Sequence, residues 1–410
     1  MMKQGDRQVH RQVHLRGESS DFKSVGRRHP WFFSGAFYPS DLKSLGDGEA
    51  VSVVTKSGIH IGTGYYERGG SIAIRMLDYG ENPKEIDEAF FEEKIRGAHM
   101  VREALGLTGT EKGYRLIYGE GDGLPGLVAD VYSGTVVLQA HTTGMAFRRM
   151  LIASAIQKAL GEEVKGIYYK SEGTLHFSGS EDEKLYSRDT VLAGKVEEKP
   201  FEEDGVWFKP DIIKGQKTGF FLDQRDNRLL LKSYAKGKRV LNMFCYTGGF
   251  SLQALAGGAD SVVSVDSSEQ ALSLLGQNLA LNPGLSASHT PVAQDAFKYL
   301  EQMPGEAFDI VILDPPAFAK SRSALTHALQ GYRRLNALAL EKMPKGSLLF
   351  TFSCSQVVTK ELFRQTLFTA ALQAGREVRI LYQLSQSADH PVSIYHPEGE
   401  YLKGLVLYVE

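Results

Sequence analysis

The residues best suited to chemistry in this chain follow predicted strands in its second half. A turn at residues 244–249 follows the first of these strands, and Asp266 ends the second. Asp314 follows the fourth strand and Cys354 the fifth. Because parallel strands bring their carboxyl ends to one edge of a sheet, these residues should meet at that edge. Polar caps alone would explain one or two such positions, whereas four at one edge favour a binding site.

The turn and the carboxylate after it predict a ligand that contains a ribose. Asp266 follows the turn by about 20 residues, the spacing at which an acid in a doubly wound sheet binds ribose hydroxyls. The turn lacks G-x-G-x-x-G, so a dinucleotide fits poorly, and Gly248 would let the backbone approach a smaller adenosine-containing ligand. Asp295 should face the adenine, although as a helix N-cap it needs no ligand. An ordinary buried βαβ unit stays open as an alternative.

Cys354 lies between two serines just past the end of a predicted strand. A lone cysteine beside a strand is usually a small buried hydrophobe. At the edge of a site, its thiolate could instead add to a pyrimidine ring and make the neighbouring ring carbon nucleophilic enough to take a methyl group. Asp314, across the site, would then hydrogen-bond the ring nitrogen or amino group and stabilise the adduct. This arrangement predicts covalent methylation of a ring carbon.

Length and composition limit the class of protein. A chain of 410 residues with 42% hydrophobic residues predicts two or three folded domains. The formal net charge of −2 excludes a strongly basic field over the whole protein, so contact with nucleic acid must come from local patches. The two cysteines, Cys245 and Cys354, match no disulfide framework or metal-ligand spacing, which favours a reducing cytoplasm. No apolar run approaches the roughly 20 residues that a membrane span needs.

The chain divides into four predicted regions. Residues 1–14 lack periodicity and are expected to be a loose terminus, and residues 15–80 contain short strands with glycine turns, typical of a small β-barrel. Residues 81–205 predict a central α+β domain. In residues 206–410, strands alternate with helices, for example a strand over 240–243 and a helix over 326–343. This alternation predicts a mostly parallel sheet covered on both faces. Residues 206–209 and 218–222 could pair as a hairpin that leads into a helix. Residues 217–228 are a candidate lid over the site, or simply part of that hairpin and a capped helix.

A basic cluster near the amino terminus is the candidate RNA contact. Residues 1–35 contain seven Lys or Arg and three acids, a local excess of four positive charges. Arg27 and Arg28 precede Trp31, and cations beside aromatic rings can bind phosphates and stack on bases. The same aromatic residues could equally form a barrel core beside solvated arginines.

The chain resembles the bacterial 23S ribosomal RNA cytosine-5 methyltransferases, which join a PUA domain to a Rossmann-like class I S-adenosylmethionine methyltransferase domain. The resemblance extends from about Arg27 to the C-terminus and implies an α/β fold with an N-terminal PUA β-barrel and a central α+β domain. It is strongest in the following segments: Arg27-Arg-His-Pro-Trp31, Gly119-Glu-Gly-Asp-Gly-Leu-Pro-Gly126, residues 217–228, Tyr246-Thr-Gly-Gly-Phe250, Asp314-Pro-Pro316, Phe352-Ser-Cys-Ser355, Ala388-Asp-His-Pro391 and Tyr401-Leu-Lys-Gly404.

The resemblance implies S-adenosylmethionine as methyl donor, Cys354 as nucleophile, 23S ribosomal RNA as partner and no role for Cys245. With the turn and the strand ends it gives one set of expected cofactor-binding residues: Phe244, Tyr246, Thr247, Gly248, Asp266, Asp295 and Asp314. Asp389 or His390 could accept the ring proton, although His390 before a proline is also ordinary turn chemistry. Methylation of uracil C5 or of a guanine nitrogen, a non-catalytic RNA-binding assembly factor, and a homodimer all stay open.

Overall fold

The computed structural model describes residues 10–18, 23–175 and 184–410. The chain forms two compact units. The N-terminal unit comprises Met1–Lys199, Pro210–Gly219 and Asp389–Gly399, and the C-terminal unit comprises Pro200–Lys209, Phe220–Ala388 and Glu400–Glu410. The sequence analysis started the last of its four regions at residue 206. In the structure the C-terminal unit already includes Pro200–Lys209, and Pro210–Gly219 and Asp389–Gly399 belong to the N-terminal unit.

The first part of the N-terminal unit is a five-stranded sheet with strand order β1-β3-β4-β5-β2. Its elements are β1 Arg11–His14, α1 Lys23–Gly26, β2 Trp31–Phe33, α2 Pro39–Lys43, β3 Ala50–Val54, β4 His60–Tyr66 and β5 Ile72–Tyr79. The prediction of a loose terminus is wrong for Arg11–His14, which pairs in parallel with β3 and buries Val13. Tertiary pairing overrides the weak local pattern there. Residues 1–9 lie outside the described residues.

The second part of the N-terminal unit is a helix-covered sheet with strand order β10-β9-β8-β7-β6, and it confirms the predicted α+β segment. Its elements are α3 Glu88–Ala104, β6 Gly113–Tyr118, β7 Leu127–Tyr132, β8 Thr135–Ala140, α4 Thr143–Phe147, α5 Arg149–Leu160, β9 Gly166–Tyr169 and β10 Thr190–Gly194. Asp87 caps α3 by accepting the N–H of Phe90 at 2.9 Å. Two buried arginine–carboxylate pairs, Arg102 with Asp122 and Arg115 with Asp130, tie the helix and strands together.

The C-terminal unit contains a seven-stranded sheet with strand order β15-β14-β13-β16-β17-β19-β18. Its elements are β11 Phe201–Glu203, β12 Val206–Phe208, α6 Arg225–Tyr234, β13 Arg239–Met243, α7 Gly249–Ala256, β14 Ser261–Asp266, α8 Glu269–Ala280, β15 His289–Ala293, α9 Ala296–Gln302, β16 Ile310–Leu313, α10 Leu325–Lys342, β17 Leu348–Ser353, α11 Lys360–Ala374, β18 Val378–Leu384 and β19 Lys403–Val409. The first five strands of the sheet are parallel, and β19 runs antiparallel to both β17 and β18.

The parallel sheet confirms the Rossmann-like prediction, and its central strands are apolar because helices cover both faces. All four residues of β16 are buried, as are the last four residues of β13. The strand order reverses direction at β13, and such a switch point opens a crevice at the carboxyl ends of the strands. The predicted hairpin between residues 206–209 and 218–222 is wrong, since β12 pairs with β11 instead.

Candidate functional site

The turn after β13 holds an unusual backbone. Phe244, Tyr246 and Gly248 adopt positive φ angles of 57°, 46° and 85°. Non-glycine residues seldom adopt this conformation, and where a structure maintains it the strain often marks a functional site. The turn is closed by the N–H of Gly248, which donates to the carbonyl of Cys245 at 2.8 Å. The switch-point turn is therefore rigid and carries two strained residues.

Gly248 is required by packing as well as by conformation. A Cβ at this position would lie 2.7 Å from Cγ of Leu275, a residue of α8. The sequence interpretation placed Gly248 where a ligand approaches the backbone. The structure gives a second cause, the close approach of α8, so this glycine taken alone does not indicate a ligand.

Asp266 joins the ends of β13 and β14. Its Oδ2 accepts the N–H of Tyr246 at 2.9 Å, and its Oδ1 accepts the N–H of Ser268 at 2.9 Å. The carboxylate is half-buried. Since each carboxylate oxygen has two lone pairs, each keeps one for a ribose hydroxyl.

Two other predicted cofactor residues have structural duties. Asp295 is exposed and caps α9, where its Oδ1 accepts the N–H of Lys298 at 3.0 Å. Thr247 is only 1% exposed, and its carbonyl accepts the side-chain amide of Asn278 at 2.9 Å. Asp295 therefore offers its second oxygen at the surface, whereas the side chain of Thr247 lies in the interior.

Asp314 and Cys354 lie on neighbouring loops. The strands that precede them, β16 and β17, are adjacent and parallel, with Leu313 opposite Thr351. The loops touch where Cys354 Sγ lies 3.8 Å from the carbonyl oxygen of Pro315. Both Asp314 and Cys354 are half-buried, so the sheet brings a carboxylate and a thiol to the same edge with partial access to solvent.

Two residues to which the sequence assigned no role surround the Cys354 loop. Tyr332, buried on α10, has its hydroxyl 3.0 Å from Oγ of Ser355. Lys403, on β19, donates from Nζ to the carbonyl of Ser355 at 2.7 Å. A signal for Lys403 existed in the sequence, because Tyr401-Leu-Lys-Gly404 is one of the segments that carry the family resemblance. Tyr332 gave none.

The other cysteine has a different environment. Cys245 is 5% exposed, and burial raises the pKa of its thiol, with the nearby Asp266 carboxylate raising that pKa further. The neutral thiol of Cys245 is therefore favoured near pH 7, and the expectation that this residue has no chemical role stays a prediction.

The candidate lid is anchored in its C-terminal part. Arg228 is buried and forms a bidentate pair with Glu203, at 2.7 and 2.5 Å, and its guanidinium also donates to the carbonyl of Phe221 at 2.8 Å. The ring of Phe221 meets the ring of Tyr246 edge to face, with centroids 5.1 Å apart. Residues 221–228 thus form a fixed wall next to the strained turn.

Asp389 and His390 belong to the N-terminal unit. Asp389 is fully buried, and its Oδ2 accepts the N–H of Arg115 at 2.9 Å. Its Oδ1 lies 2.9 Å from Nδ1 of His390, which is buried as well. These contacts hold the two side chains inside their own unit, so they give no support to a role as proton acceptor.

Arg27 and Arg28 are both exposed, and Arg28 has a positive φ of 50°. The nearby aromatic residues differ in their roles. Phe32 belongs to the core of the small sheet, whereas Phe33 is 50% exposed. Trp31 donates from Nε1 to Glu120 at 2.7 Å, which fixes its ring. Arg27, Arg28 and Phe33 are thus exposed on this part of the N-terminal unit, and their contact with RNA stays a prediction.

His29, His396 and Glu398 bring their ligand atoms within 4.8 Å of one another. His29 Nδ1 accepts the backbone N–H of Trp31 at 3.1 Å, while its Nε2 faces Glu398 at 3.3 Å. With Nδ1 as an acceptor, Nε2 carries the proton of the neutral ring and has no lone pair for a metal. The cluster is therefore better described as a hydrogen-bonded one.

In the described part of the chain, no helix has the length and apolarity to cross a membrane.

Two family models match this chain. Residues 185–373 match the S-adenosylmethionine-dependent methyltransferase model, and residues 19–79 match a PUA-like domain. A protein named ribosomal RNA large subunit methyltransferase I from Aeromonas hydrophila is 41% identical over 395 residues, covering 94% of this chain and 96% of that protein. The protein of the same name from Escherichia coli O139:H28 is 39% identical, with coverages of 94% and 97%.

Solved structures share the fold. An S-adenosylmethionine-dependent methyltransferase from Streptococcus mutans superposes with a TM-score of 0.79 over 97% of this chain and 99% of that chain. The methyltransferase SMU.776, complexed with SAH, superposes with a TM-score of 0.80 and the same coverages. Both are 22% identical to this chain, so they establish the fold alone.

Proposed function

Since the chain belongs to the ribosomal RNA large subunit methyltransferase I family and is an S-adenosylmethionine-dependent methyltransferase, we propose that it methylates C5 of a cytosine in 23S ribosomal RNA. The observation that carries this proposal is the position of Cys354. A half-exposed thiol at the carboxyl edge of the sheet, on the loop next to Asp314, suits attack on a pyrimidine ring.

The strained turn and Asp266 would hold the cofactor. The two remaining lone pairs of the Asp266 carboxylate suit two ribose hydroxyls, and Phe244 and Tyr246 present the backbone of the turn at the switch point. Asp295, exposed after β15, would lie on the adenine side. When bound, S-adenosylmethionine supplies an electrophilic methyl group.

Cys354 would perform the covalent step. Its thiolate would add to C6 of the cytosine, and the electron pair displaced from the C5–C6 double bond would form the new bond from C5 to the methyl carbon. The bond between that methyl carbon and the cofactor sulfur would break, and its electron pair would stay on the sulfur. A base next removes the proton from C5, the double bond returns, and the C6–S bond breaks to release the thiolate. Asp314 would hydrogen-bond the ring nitrogen or amino group and stabilise the adduct.

The alternatives differ in what they require of Cys354. Uracil C5 would need the same nucleophile, whereas a guanine nitrogen is nucleophilic enough without one. A non-catalytic assembly factor would need neither the thiol nor the cofactor turn. The partial exposure of Cys354 beside Asp314 favours a ring carbon, because a merely structural cysteine would be buried in the manner of Cys245.

The PUA-like domain would bring the RNA to the enzyme. Arg27 and Arg28 are exposed and lie just before the aromatic strand β2. Exposed cations neutralise the phosphates of an RNA whatever its base sequence. We expect the protein to act in the cytoplasm, where ribosomal RNA is incorporated into ribosomes. A homodimer stays a prediction.

The direct test is a map of modified nucleotides in 23S ribosomal RNA by mass spectrometry, from a strain that lacks the gene and from its parent. We expect one 5-methylcytidine to disappear, and to return with the wild-type gene but not with Cys354→Ala. Loss of a 5-methyluridine or a methylguanosine instead would identify one of the alternative reactions. An unchanged map would contradict the proposal.

A further inference from the structure

Lys403 is a buried lysine beside the loop that carries the candidate nucleophile, and the reaction described above does not use it. Lys403 is only 5% exposed, and the pairing of β19 with β17 places it opposite Ser353, the last residue of β17. Its Nζ donates to the carbonyl of Ser355 at 2.7 Å and to the carbonyl of Tyr401 at 2.7 Å. The side chain therefore crosses from β19 to the loop that carries Cys354.

The charge of Lys403 has few partners. Among the ion pairs of the described residues none includes it, so its ammonium is buried without a bonded carboxylate. Burial lowers the pKa of Lys403 to about 8, while a thiolate at Cys354 and the carboxylate of Glu400 act in the opposite direction and Lys360 reinforces the lowering. Cys354 is thus the group whose negative charge most favours the ammonium form of Lys403.

Two of the three hydrogen-bonding positions on Nζ of Lys403 are occupied, and the third can serve another partner. An ammonium group has three N–H donors, and two are taken by the carbonyls of Ser355 and Tyr401. In the neutral amine the same two donors remain and the third position is a lone pair. Such a lone pair can take up the proton that the Cys354 thiol releases, after which Nζ carries the positive charge and Sγ the negative charge. The proton moves between two groups of the protein, and no other reactant is needed.

Building on the proposed nucleophile, we propose that Lys403 is the positioning residue that holds Cys354 as a thiolate, by anchoring the Ser355 carbonyl and placing a positive charge beside the sulfur. Cysteine thiolates are stabilised in this way next to lysines elsewhere. Lys403 acts through Cys354 and does not itself react with the RNA.

The test is the pH dependence of alkylation of Cys354 by iodoacetamide, followed by peptide mass spectrometry in a Cys245→Ala background that leaves one thiol. The midpoint is the pH at which the alkylation rate reaches half of its maximum. In Lys403→Met we expect this midpoint to rise by about one pH unit or more, and the rate at pH 7 to fall roughly tenfold. Lys403→Arg should keep a low midpoint, since arginine stays charged. Lys360→Met, which removes an exposed lysine of the same neighbourhood, should leave the midpoint unchanged.

Equal midpoints in folded Lys403→Met and in its parent would overturn the inference. If Lys403→Met does not fold, the parent protein alone decides, because a midpoint at or above about 8.5, the value of an ordinary cysteine, contradicts a stabilised thiolate. This readout is independent of methyl transfer. Methylation that survives in Cys354→Ala would remove the proposed nucleophile, yet a low thiol midpoint would still stand.

Discussion

The carboxylate of Asp266 accepts the backbone N–H of Tyr246 at 2.9 Å, across 20 residues of chain. This bond ties the end of β14 to the strained turn after β13, so this side chain shapes the turn. In the proposed function, the same carboxylate would also bind the ribose of the cofactor.

Replacing Asp266 should weaken cofactor binding. Asp266→Ala removes the acceptor of two ribose hydroxyls, and a hydrogen bond to a charged group contributes about 1.5–3 kcal/mol, so we expect S-adenosylmethionine to bind roughly 10- to 100-fold more weakly by calorimetry. Asp260→Ala removes an exposed carboxylate just before β14, at the opposite edge of the sheet, and should bind normally. Unchanged affinity in folded Asp266→Ala would exclude this residue from the cofactor site.

Two glycine substitutions, one in the turn and one on the helix α8 that packs against it, test how tightly the turn is packed. Gly248→Ala introduces a Cβ 2.7 Å from Leu275 at a φ of 85°, so we expect a loss of roughly 1–3 kcal/mol in the free energy of unfolding. Gly276, next to Leu275 on α8, has open space around its Cβ position, and Gly276→Ala should stabilise the helix by up to about 1 kcal/mol. Chemical denaturation measures both, and equal stability of the two variants would contradict this packing argument.

The sequence predicted the methyltransferase sheet well, because buried parallel strands are continuous apolar segments with little ambiguity. The strand expected at residues 240–243 is observed as Arg239–Met243, and the helix expected at 326–343 is Leu325–Lys342. The strand ends also placed Asp266 and Cys354 correctly at one edge. Local apolar patterns and chain connectivity suffice for such predictions.

Features that depend on distant partners were not predictable. β1 is short and polar, and only its pairing with β3 makes it a strand. Residues 210–219 and 389–399 join the N-terminal unit through contacts far along the chain, such as the buried carboxylate of Asp389 on the N–H of Arg115. Lys403 lies in a segment that carries the family resemblance, but its contact with the Cys354 loop depends on the antiparallel pairing of β19 with β17, which the sequence did not reveal.

The arginines of the PUA-like domain should control the salt dependence of RNA binding. Arg27→Ala with Arg28→Ala removes two exposed cations, so the slope of log K against log salt should fall in magnitude by up to about 2. The charge-matched control is Lys236→Ala with Lys238→Ala, which removes two exposed lysines just before β13, on the edge away from the site. Identical slopes for all three proteins, in filter-binding or fluorescence titrations, would make Arg27 and Arg28 solvated residues without RNA contact.

The identity of the nucleophile decides the proposed reaction, and a 5-fluorocytidine RNA tests it. After the methyl group reaches C5, fluorine leaves no proton there to remove, so elimination stops and the enzyme stays bonded to C6. We predict a protein–RNA adduct that survives a denaturing gel and requires S-adenosylmethionine. It should form with Cys245→Ala and be absent with Cys354→Ala, although Cys354→Ala should still bind the cofactor normally. Methylation of ordinary RNA by Cys354→Ala at a rate near that of the wild type, without any adduct in the parent enzyme, would contradict covalent catalysis.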